Sequence, residues 1–248
     1  MSLLTDIQLP AVQLAAVSKG YASAAGRVPV LREVSLGFPQ RALTAVMGPS
    51  GSGKTTLLNC AAGLDKPDSG RVLLGDTDLA ACGEQELTAV RRSRIGFVFQ
   101  QFNLLPMLSA YENVALPLRL RRGRVKRDRV MEALRQVGLA DQADRRPAQL
   151  SGGQQQRVAI ARTLVAEPEI VFADEPTGSL DRRSGRQIME LLRAVVDGAG
   201  RTVAVVTHDP AAAACADRVV FLSDGVVVGR LDHPTADAVA HQLSLWER

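Results

Sequence analysis

One segment of the chain has the composition and spacing of a phosphate-binding loop. Residues Gly48–Thr55 have the sequence GPSGSGKT, which matches the pattern G-x-x-x-x-G-K-[ST]. The apolar run Leu43–Met47 precedes it and a helix-forming sequence follows it, so an ordinary glycine- and serine-rich turn is the weaker interpretation. Glycine tolerates positive φ and has no Cβ, so the backbone N–H groups approach an anion closely. We expect Lys54 to reach the β- and γ-phosphates of a nucleoside triphosphate and Thr55 to bind Mg²⁺.

A pair of carboxylates follows a second apolar run. Ile170–Ala173 is apolar, and Asp174 and Glu175 come directly after it. A buried strand of a parallel sheet brings its last residues to the edge where such sheets bind ligands. We expect Asp174 to organise Mg²⁺, often through water, and Glu175, on the other side of the strand, to act as general base for an attacking water molecule. Taken alone, the pair is more typical of a solvated strand end, and it gains functional meaning from the phosphate loop.

A second anion-binding helix start is predicted at Leu150–Arg157, which has the sequence LSGGQQQR and precedes an apolar helical stretch. Ser151 is a favourable N-cap residue, and Gln154, three residues later, completes a capping box. The adjacent glycines Gly152 and Gly153 leave backbone N–H groups exposed at a helix end that carries positive potential. A well-capped helix without a ligand is the alternative, although a cap does not require two adjacent glycines.

The sequence LSGGQQQR resembles the signature motif of the ABC ATPases, and the resemblance extends over nearly the whole chain. It implies an ATPase that binds ATP and Mg²⁺. It also implies that the signature of one subunit closes on the γ-phosphate held by the phosphate loop of another, so that a head-to-tail homodimer encloses two ATP molecules. No arginine finger is evident, and the positive helix tip at Ser151 would take its place. The implied ATP-binding residues are Tyr21, Gly48, Pro49, Ser50, Gly51, Ser52, Gly53, Lys54, Thr55, Thr56, Ser151, Gly152, Gly153, Gln154 and Asp181.

The remaining motifs occur in the order that is typical of the family. Gln100, at the end of the run IGFVFQ, resembles the glutamine that contacts Mg²⁺ and the water, although the neighbouring Gln101 is an alternative. His208, at the end of TVAVVTH, resembles the switch histidine near the γ-phosphate, and Asp181 resembles the aspartate of the D-loop. Tyr21 is matched only by its position to the aromatic residue that stacks on adenine. The resemblance thus implies a catalytic set, Lys54, Gln100, Glu175 and His208, and a Mg²⁺ set, Thr55, Gln100 and Asp174.

Composition disfavours several other classes of protein. Of the 248 residues, 46% are hydrophobic and 23% are charged, which is enough for a buried core. Aromatic residues make up only 4%, too few for a platform that stacks single-stranded nucleic acid. The three cysteines are scattered, so neither a metal site nor a disulfide framework is expected, and a reducing cytosol fits best. The net charge of +4 suits nucleic acid, anionic lipid or phosphate, and it is equally compatible with genomic base composition.

No targeting or membrane-spanning segment is predicted. The first residues, MSLLTDIQLP, lack the basic start and the long apolar core of a signal peptide. No stretch reaches the roughly 18 apolar residues that a membrane helix needs. If the protein serves a membrane, it does so from the water side. We therefore expect it at the cytoplasmic face of the cell membrane, bound there through an integral membrane permease.

Segments of strand and helix character alternate along the chain. A hairpin is predicted at RVVFLSDGVVVGR, where Asp224 and Gly225 favour a tight turn. With the resemblance, this pattern predicts an α/β protein with the ABC ATPase fold: a RecA-like P-loop core with a mostly parallel sheet, an antiparallel β subdomain and an inserted helical subdomain. Strands are expected at VQLAAV, EVSLGF, LTAVM, RVLLG, IGFVFQ, EIVFAD and TVAVVTH, and helices at Lys54–Gly63, Tyr111–Leu120, Lys126–Gln136 and Arg182–Val196.

We expect a single ABC nucleotide-binding domain over residues 1–248. The change from strand to helix character near Gln101 and the return of strands after Leu150 set the limits of the helical insertion. The expected parts are a core over about 11–100 and 157–232, a helical subdomain over about 101–156 and a C-terminal helix over about 234–246.

Longer stretches narrow the resemblance to one branch of the family. FQQFNLLPMLSAYENVALPL, LSGGQQQRVAIAR and ADEPTGSLD resemble the MacB-, LolD- and FtsE-type group. Members of that group work with separate or fused FtsX-like permeases, which implies export, extrusion of lipids, lipoproteins or peptides, or mechanotransmission across the membrane. The resemblance also implies a groove between the Gln100 loop and the helix around Glu112 and Asn113 that docks a cytoplasmic helix of the permease.

A basic run lies in the helical insertion. A solvated helix face is the simpler interpretation, and contact with anionic lipid headgroups beside the permease is the more specific one. The run consists of Arg119, Arg121, Arg122, Arg124, Lys126, Arg127 and Arg129.

The same ATPase class includes proteins with functions other than transport. Repair and chromosome proteins split the motifs around long coiled coils or zinc modules, and this sequence has neither heptads nor a cysteine cluster, so no nucleic-acid partner is expected. Translation-factor relatives need two tandem sets of motifs, and one set is present. A force-transmitting role in cell-wall remodelling is not separated from transport by the sequence.

Overall fold

The computed structural model describes residues 9–23, 26–121 and 125–246, which form two β-sheets with helices packed against them. The strands are β1 (Val12–Ser23), β2 (Gly26–Phe38), β3 (Leu43–Met47), β4 (Ser69–Leu74), β5 (Thr77–Asp78), β6 (Ile95–Val98), β7 (Ile170–Asp174), β8 (Thr202–Val206), β9 (Arg218–Ser223) and β10 (Val226–Asp232). The α-helices are α1 (Lys54–Ala61), α2 (Glu84–Arg94), α3 (Ala110–Leu120), α4 (Arg127–Gln136), α5 (Gly152–Leu164), α6 (Arg182–Ala199), α7 (Pro210–Ala213) and α8 (Ala236–Ser244).

The larger sheet has the strand order β10-β9-β3-β8-β7-β6. Its strands are parallel except for β10, which pairs with β9 in the antiparallel sense. Leu43 and Met47 of β3 face a core shared with α6, whereas Val46 faces a second core shared with α1. Because both faces are covered, the central strands are continuous apolar runs. The carboxyl ends of β3, β7 and β8 consequently meet at one edge of the sheet.

The smaller sheet has the order β2-β1-β4-β5 and is antiparallel throughout. Val12 and Leu14 on alternate positions of β1 are buried and belong to the same core as Leu57 and Leu58 of α1. The sheet therefore lies on the helix that follows the phosphate loop. Strand β1 continues to Ser23, six residues beyond the apolar run that predicted it.

Helices α3, α4 and α5 pack against one another. Val114 of α3, Leu134 of α4 and Ile160 of α5 are fully buried in one cluster. The N-terminus of α3 is fixed by a capping box, in which the N–H of Glu112 donates to the Ser109 hydroxyl and the N–H of Ser109 donates to the Glu112 carboxylate.

Most predicted elements are confirmed, with the α/β class and the Asp224–Gly225 hairpin among them. Asp224 and Gly225 both have positive φ, 48° and 77°, as the predicted turn requires. Helix α2 was not predicted: Leu87 is its one buried residue, so its sequence has little apolar periodicity. Within the described residues, no helix is long and apolar enough to cross a membrane.

Candidate nucleotide-binding site

The phosphate loop connects the end of β3 to the start of α1 and is packed tightly against both sheets. Gly48 has φ 151°, and a Cβ there would lie 1.9 Å from the carbonyl oxygen of Leu222 in β9. Gly53 has φ 100°, and its Cβ would lie 2.8 Å from the carbonyl oxygen of Val30 in β2. These two glycines are thus required by the packing of the loop against the protein as well as by any close approach of a phosphate.

Lys54 is the first residue of α1 and is buried within the loop. Its Nζ atom donates to the carbonyl oxygens of Gly48, at 2.9 Å, and Pro49, at 2.7 Å. Burial lowers the pKa of Lys54, and the nearby carboxylates of Glu175 and Asp174 oppose that shift. The loop therefore wraps around the Lys54 ammonium, which would attract a phosphate anion to the loop.

Thr55 and Asp174 meet although they are far apart in the sequence. The Thr55 hydroxyl donates to Oδ1 of Asp174 at 3.2 Å. Burial raises the pKa of Asp174, and the hydrogen bond from Thr55 opposes the rise. A buried carboxylate and a neighbouring hydroxyl are hard oxygen donors, so this pair fits a divalent cation such as Mg²⁺.

Glu175 follows β7 in an unusual backbone conformation, with φ 45°. Its N–H donates to the carbonyl oxygen of Val206 at 3.0 Å, and its own carbonyl oxygen accepts from the N–H of Gly178 at 3.0 Å. These two bonds hold the residue at the edge of the sheet. Its Oε2 atom lies 3.7 Å from Nδ1 of His208, which follows the adjacent strand β8.

Gln100 lies two residues beyond the end of β6, which is shorter than the predicted run IGFVFQ. A Cβ built on Gly178 would lie 2.8 Å from Nε2 of Gln100 and 3.2 Å from Oε2 of Glu175, so both side chains border this glycine. The Ser179 hydroxyl also donates to the carbonyl oxygen of Gln100 at 3.2 Å. The structure thus places Gln100 close to the carboxylate of Glu175.

Lys54, Thr55, Glu175 and His208 border one cleft of about 410 Å³ at the carboxyl edge of the larger sheet, whereas Asp174 and Gln100 are not among its lining residues in the described part of the chain. The signature residues Ser151–Gly153, as well as Asp181 and Tyr21, are not among its lining residues in the described part of the chain. The lining residues are Gly48, Ser50, Gly51, Gly53, Lys54, Thr55, Thr56, Glu175 and His208.

The signature segment forms the predicted capping box at the start of α5. The N–H of Gln154 donates to the Ser151 hydroxyl at 3.3 Å, and the N–H of Ser151 donates to Oε1 of Gln154 at 2.9 Å. Gly152 lies against the side chains of Leu180 and Phe102, where a Cβ would be in ordinary contact. The helix tip is therefore preformed, with its side-chain cap made by the chain itself.

Asp181 caps helix α6. Its Oδ1 atom accepts from the N–H of Ser184 at 3.0 Å, and its Oδ2 atom accepts from the Ser184 hydroxyl at 2.6 Å. These hydrogen bonds lower the pKa of Asp181. The geometry gives this residue a structural role in addition to the one implied by the resemblance.

Tyr21 lies beside the cleft, on β1. Its hydroxyl donates to Oδ2 of Asp65 at 2.6 Å, and Oδ1 of the same carboxylate accepts from Nζ of Lys19 at 2.6 Å. The Lys19 Nζ atom is 5.2 Å from the centre of the Tyr21 ring. The Tyr21 hydroxyl also interacts with the side chain of Thr56, which lines the cleft. Sequence reasoning missed Asp65 and Lys19, because nothing in their local sequence signals a contact between them.

Comparison with known proteins identifies the family. The family model described as ABC transporter matches residues 31–178 of the chain. The chain belongs to the ABC transporter family. As an ABC ATPase subunit it binds and hydrolyses ATP.

Solved ABC cassettes have the same fold. The structure described as a dimeric, post-hydrolysis state of the ATP-binding cassette MJ0796 bound to ADP and Pi superposes with a TM-score of 0.83 at 43% identity, and the match covers 90% of this chain and 99% of that one. MJ0796 comes from Methanocaldococcus jannaschii. The predicted ABC ATPase fold is thereby confirmed.

Two relatives carry more specific names. The lipoprotein-releasing system ATP-binding protein LolD of Anaeromyxobacter dehalogenans is 46% identical over 94% of this chain and 98% of its own length. The macrolide export ATP-binding/permease protein MacB of Burkholderia pseudomallei is 44% identical over 92% of this chain. The ABC cassette described here spans only 35% of that MacB protein.

Proposed function

We propose that this ABC ATPase works as a head-to-tail homodimer that hydrolyses ATP at two composite sites and drives an FtsX-like membrane permease. The observation that carries the proposal is the composition of the cleft. It contains the phosphate loop, Glu175 and His208, but not the preformed helix tip at Ser151. Since phosphoryl transfer needs positive potential on the γ-phosphate, a second copy is the natural source of that helix tip.

Within one copy, the phosphate loop binds the triphosphate. Lys54 exchanges its bonds to the loop carbonyls for the β- and γ-phosphate oxygens, and the open face of the loop at Gly51 offers backbone N–H groups. Thr55 and Asp174, whose oxygen atoms are 3.2 Å apart, would hold Mg²⁺ together with Gln100. Mg²⁺ bound there would supply positive charge that offsets the charge of the phosphate oxygens.

The hydrolytic step uses Glu175 as general base. Glu175 accepts a proton from a water molecule while the water oxygen forms a bond to the γ-phosphorus and the bond from that phosphorus to the bridging oxygen of ADP breaks. His208 and Gln100 lie near the Glu175 carboxylate and orient the water and the γ-phosphate. Tyr21 stacks on adenine beside Thr56.

The dimer is tested with Glu175→Gln, which should retain ATP and trap the closed state. Light scattering with saturating ATP is expected to give the mass of two chains, and the mass of one chain without nucleotide. A Glu175→Gln protein that stays monomeric with saturating ATP, and also with its permease supplied, contradicts the proposal.

For the permease we propose the groove beside α3. The loop after β6 exposes Leu105 and Met107, with 45% and 74% of their surface accessible, and Phe99 is also exposed nearby. Such an apolar patch on an otherwise polar surface suits a short permease helix at the cytoplasmic face of the cell membrane. The LolD and MacB relatives, named for lipoprotein release and macrolide export, support a permease partner. The work proposed for that permease is export, extrusion of lipids, lipoproteins or peptides, or mechanotransmission.

Co-purification with an integral membrane permease tests the groove. Leu105→Ser should reduce the recovered permease severalfold. Leu245→Ser is the matched control, because Leu245 is similarly exposed, at 50%, but lies beyond α8. Full recovery with Leu105→Ser counts against this groove. Leu104 is a poorer target, since it packs against the core.

Contact with anionic lipid through the basic run is proposed for a smaller set of residues than the sequence suggested. Arg121 donates to the carbonyl oxygens of Arg92 and Ala166, and Arg129 donates to that of Val165. Arg122 and Arg124 lie outside the described residues. The residues proposed for headgroup contact are therefore Arg119, Lys126 and Arg127, and unchanged binding to anionic vesicles at low salt after their replacement by Gln would remove the idea.

A further inference from the structure

Gln156 lies in helix α5, three residues after Gly153, and is completely buried. Its Nε2 atom donates to the carbonyl oxygen of Pro176 at 2.8 Å and to that of Phe99 at 3.3 Å. Both partners are acceptors, so the amide nitrogen must face them. Its Oε1 atom is buried and has no hydrogen-bond partner among the described residues.

The two carbonyl groups belong to the segments that carry the catalytic side chains. Phe99 directly precedes Gln100, and Pro176 directly follows Glu175. One buried amide on α5 therefore joins the signature helix to the backbone on both sides of the site. The Ser179 hydroxyl, which donates to the carbonyl of Gln100, is a second tie between the same two segments.

We propose that Gln156 is a positioning residue that sets the positions of Gln100 and Glu175 in its own copy and links them to its own signature helix. This rests on the proposed roles of Gln100 and Glu175. In the head-to-tail dimer the signature helix of one copy contacts the ATP of the other. When contact with that ATP shifts α5, Gln156 transmits the shift to Phe99 and Pro176. Binding of the signature helix at one ATP site therefore adjusts the position of the general base, Glu175, at the other site.

The two bonds from Nε2 outweigh the cost of the unpartnered Oε1 atom. A buried acceptor without a donor destabilises the folded state, and the hydrogen bonds to two carbonyl groups offset that cost. Gln156 is kept polar here by the two carbonyl groups that it joins.

Gln156→Met keeps the length of the side chain and removes both bonds. The turnover number for ATP should fall roughly ten- to a hundredfold, since small misplacements of reacting groups cost rates of that order, while KM stays within about twofold. Gln156→Asn retains an amide that reaches at most one carbonyl. Its turnover number should therefore lie between those of Gln156→Met and the unsubstituted protein. Gln155→Met is the matched control, because among the described residues the side chain of Gln155 donates to the carbonyl of Leu150 in the same helix start and not to the segments that carry Gln100 and Glu175.

Mixed dimers separate positioning from a loosened helix. When one copy carries Glu175→Gln, the remaining activity depends on Glu175 of the second copy and the signature of the first. Gln156→Met should lower that activity at least tenfold when added to the copy with intact Glu175, and change it less than about twofold when added to the other copy. Equal losses in both arrangements, or no loss in either, would overturn the inference.

The Glu175→Gln homodimer shows whether the inference about Gln156 or the proposed function has failed. If its hydrolysis stays near normal, Glu175 is not the base and the proposed function fails first. If its hydrolysis is lost while Gln156→Met retains full turnover, the proposed function stands and the inference about Gln156 is wrong.

Discussion

The Nδ1 atom of His208 lies 3.7 Å from the Oε2 atom of Glu175. The two residues are brought together because β8 and β7 are neighbouring parallel strands that end at the same edge of the sheet. At this distance the pair is close enough to interact electrostatically and slightly too long for a direct hydrogen bond. A small movement of either side chain would therefore change how strongly the imidazole interacts with the carboxylate.

Replacing Glu175 with Gln should remove the base and keep the shape of the side chain. ATP binding should be retained, and turnover should fall roughly 10²–10⁴-fold, the range for the loss of a general base. Single-turnover hydrolysis and equilibrium ATP binding measure the two effects separately. His208→Ala is expected to slow turnover with little loss of affinity. Near-normal hydrolysis in Glu175→Gln would assign the base elsewhere.

Replacing Lys54 with Ala should weaken nucleotide binding. The ammonium makes charge-assisted bonds whose loss is worth about 1.5–3 kcal/mol, so Kd for ATP should rise roughly ten- to a hundredfold. Titration calorimetry measures the change. Lys66→Ala is a suitable control, because Lys66 is exposed after α1 and outside the cleft. An unchanged Kd for ATP in Lys54→Ala would exclude a contact between Lys54 and the phosphates.

Because Tyr21 and Asp65 share a hydrogen bond, substitution of either residue should affect binding of the adenine base and leave binding of the phosphates unchanged. Tyr21→Phe removes the bond that orients the ring and Asp65→Asn weakens it by removing the charge of the acceptor, so each should weaken ATP binding a fewfold and leave binding of inorganic tripolyphosphate unchanged. The double variant should be no weaker than the worse single one, since both act on one bond.

Tyr21→Ala separates orientation from stacking. It should weaken ATP binding more than Tyr21→Phe, because it removes the ring itself. If ATP binding is unaffected by Tyr21→Ala, Tyr21 does not stack on adenine, and the weaker effects expected of Asp65→Asn have no basis.

Replacing Asn113 should lower the stability of the protein. Its buried side chain accepts from the N–H of Leu105 at 2.8 Å and donates to the carbonyl oxygens of Leu105, Leu108 and Ser109 at 3.0–3.1 Å. Asn113→Ala removes the side-chain partner of the Leu105 N–H and of the Leu108 carbonyl oxygen, while the carbonyl oxygens of Leu105 and Ser109 still accept from backbone N–H groups. It should cost about 2–3 kcal/mol in the free energy of unfolding. Urea unfolding measures it, with Glu112→Ala as a control that loses one capping bond and about 1 kcal/mol. Equal stability of the two variants would contradict a stabilising role for the hydrogen bonds of the Asn113 side chain.

Much of the site was predictable because its chemistry is encoded in short segments. The phosphate loop, the Asp174–Glu175 pair and the capping box at Ser151 each need only a few consecutive residues, and local backbone preferences decide their form. The hairpin at Asp224 was predictable for the same reason: two adjacent residues suited to positive φ define the turn.

Other features were not predictable from local sequence. Helix α2 has a polar surface and buries only Leu87, so apolar periodicity does not reveal it. The basic run looked like a uniform charged face, yet Arg121 and Arg129 hold backbone carbonyls of other segments. Which arginine binds a carbonyl depends on where the chain returns in space.

The sequence by itself determined the fold family, the anion-binding loop and the identity of the acidic and basic groups, because these depend on residue type and short spacing. Only the tertiary structure decided which groups meet: Thr55 with Asp174 across 119 residues, Tyr21 with Asp65, and Gln156 with the carbonyls beside Gln100 and Glu175. Such contacts follow from the order of strands in the sheet and the packing of α5 against it. Side-chain contacts of a few ångströms are fixed by that packing, and no local pattern in the sequence specifies them.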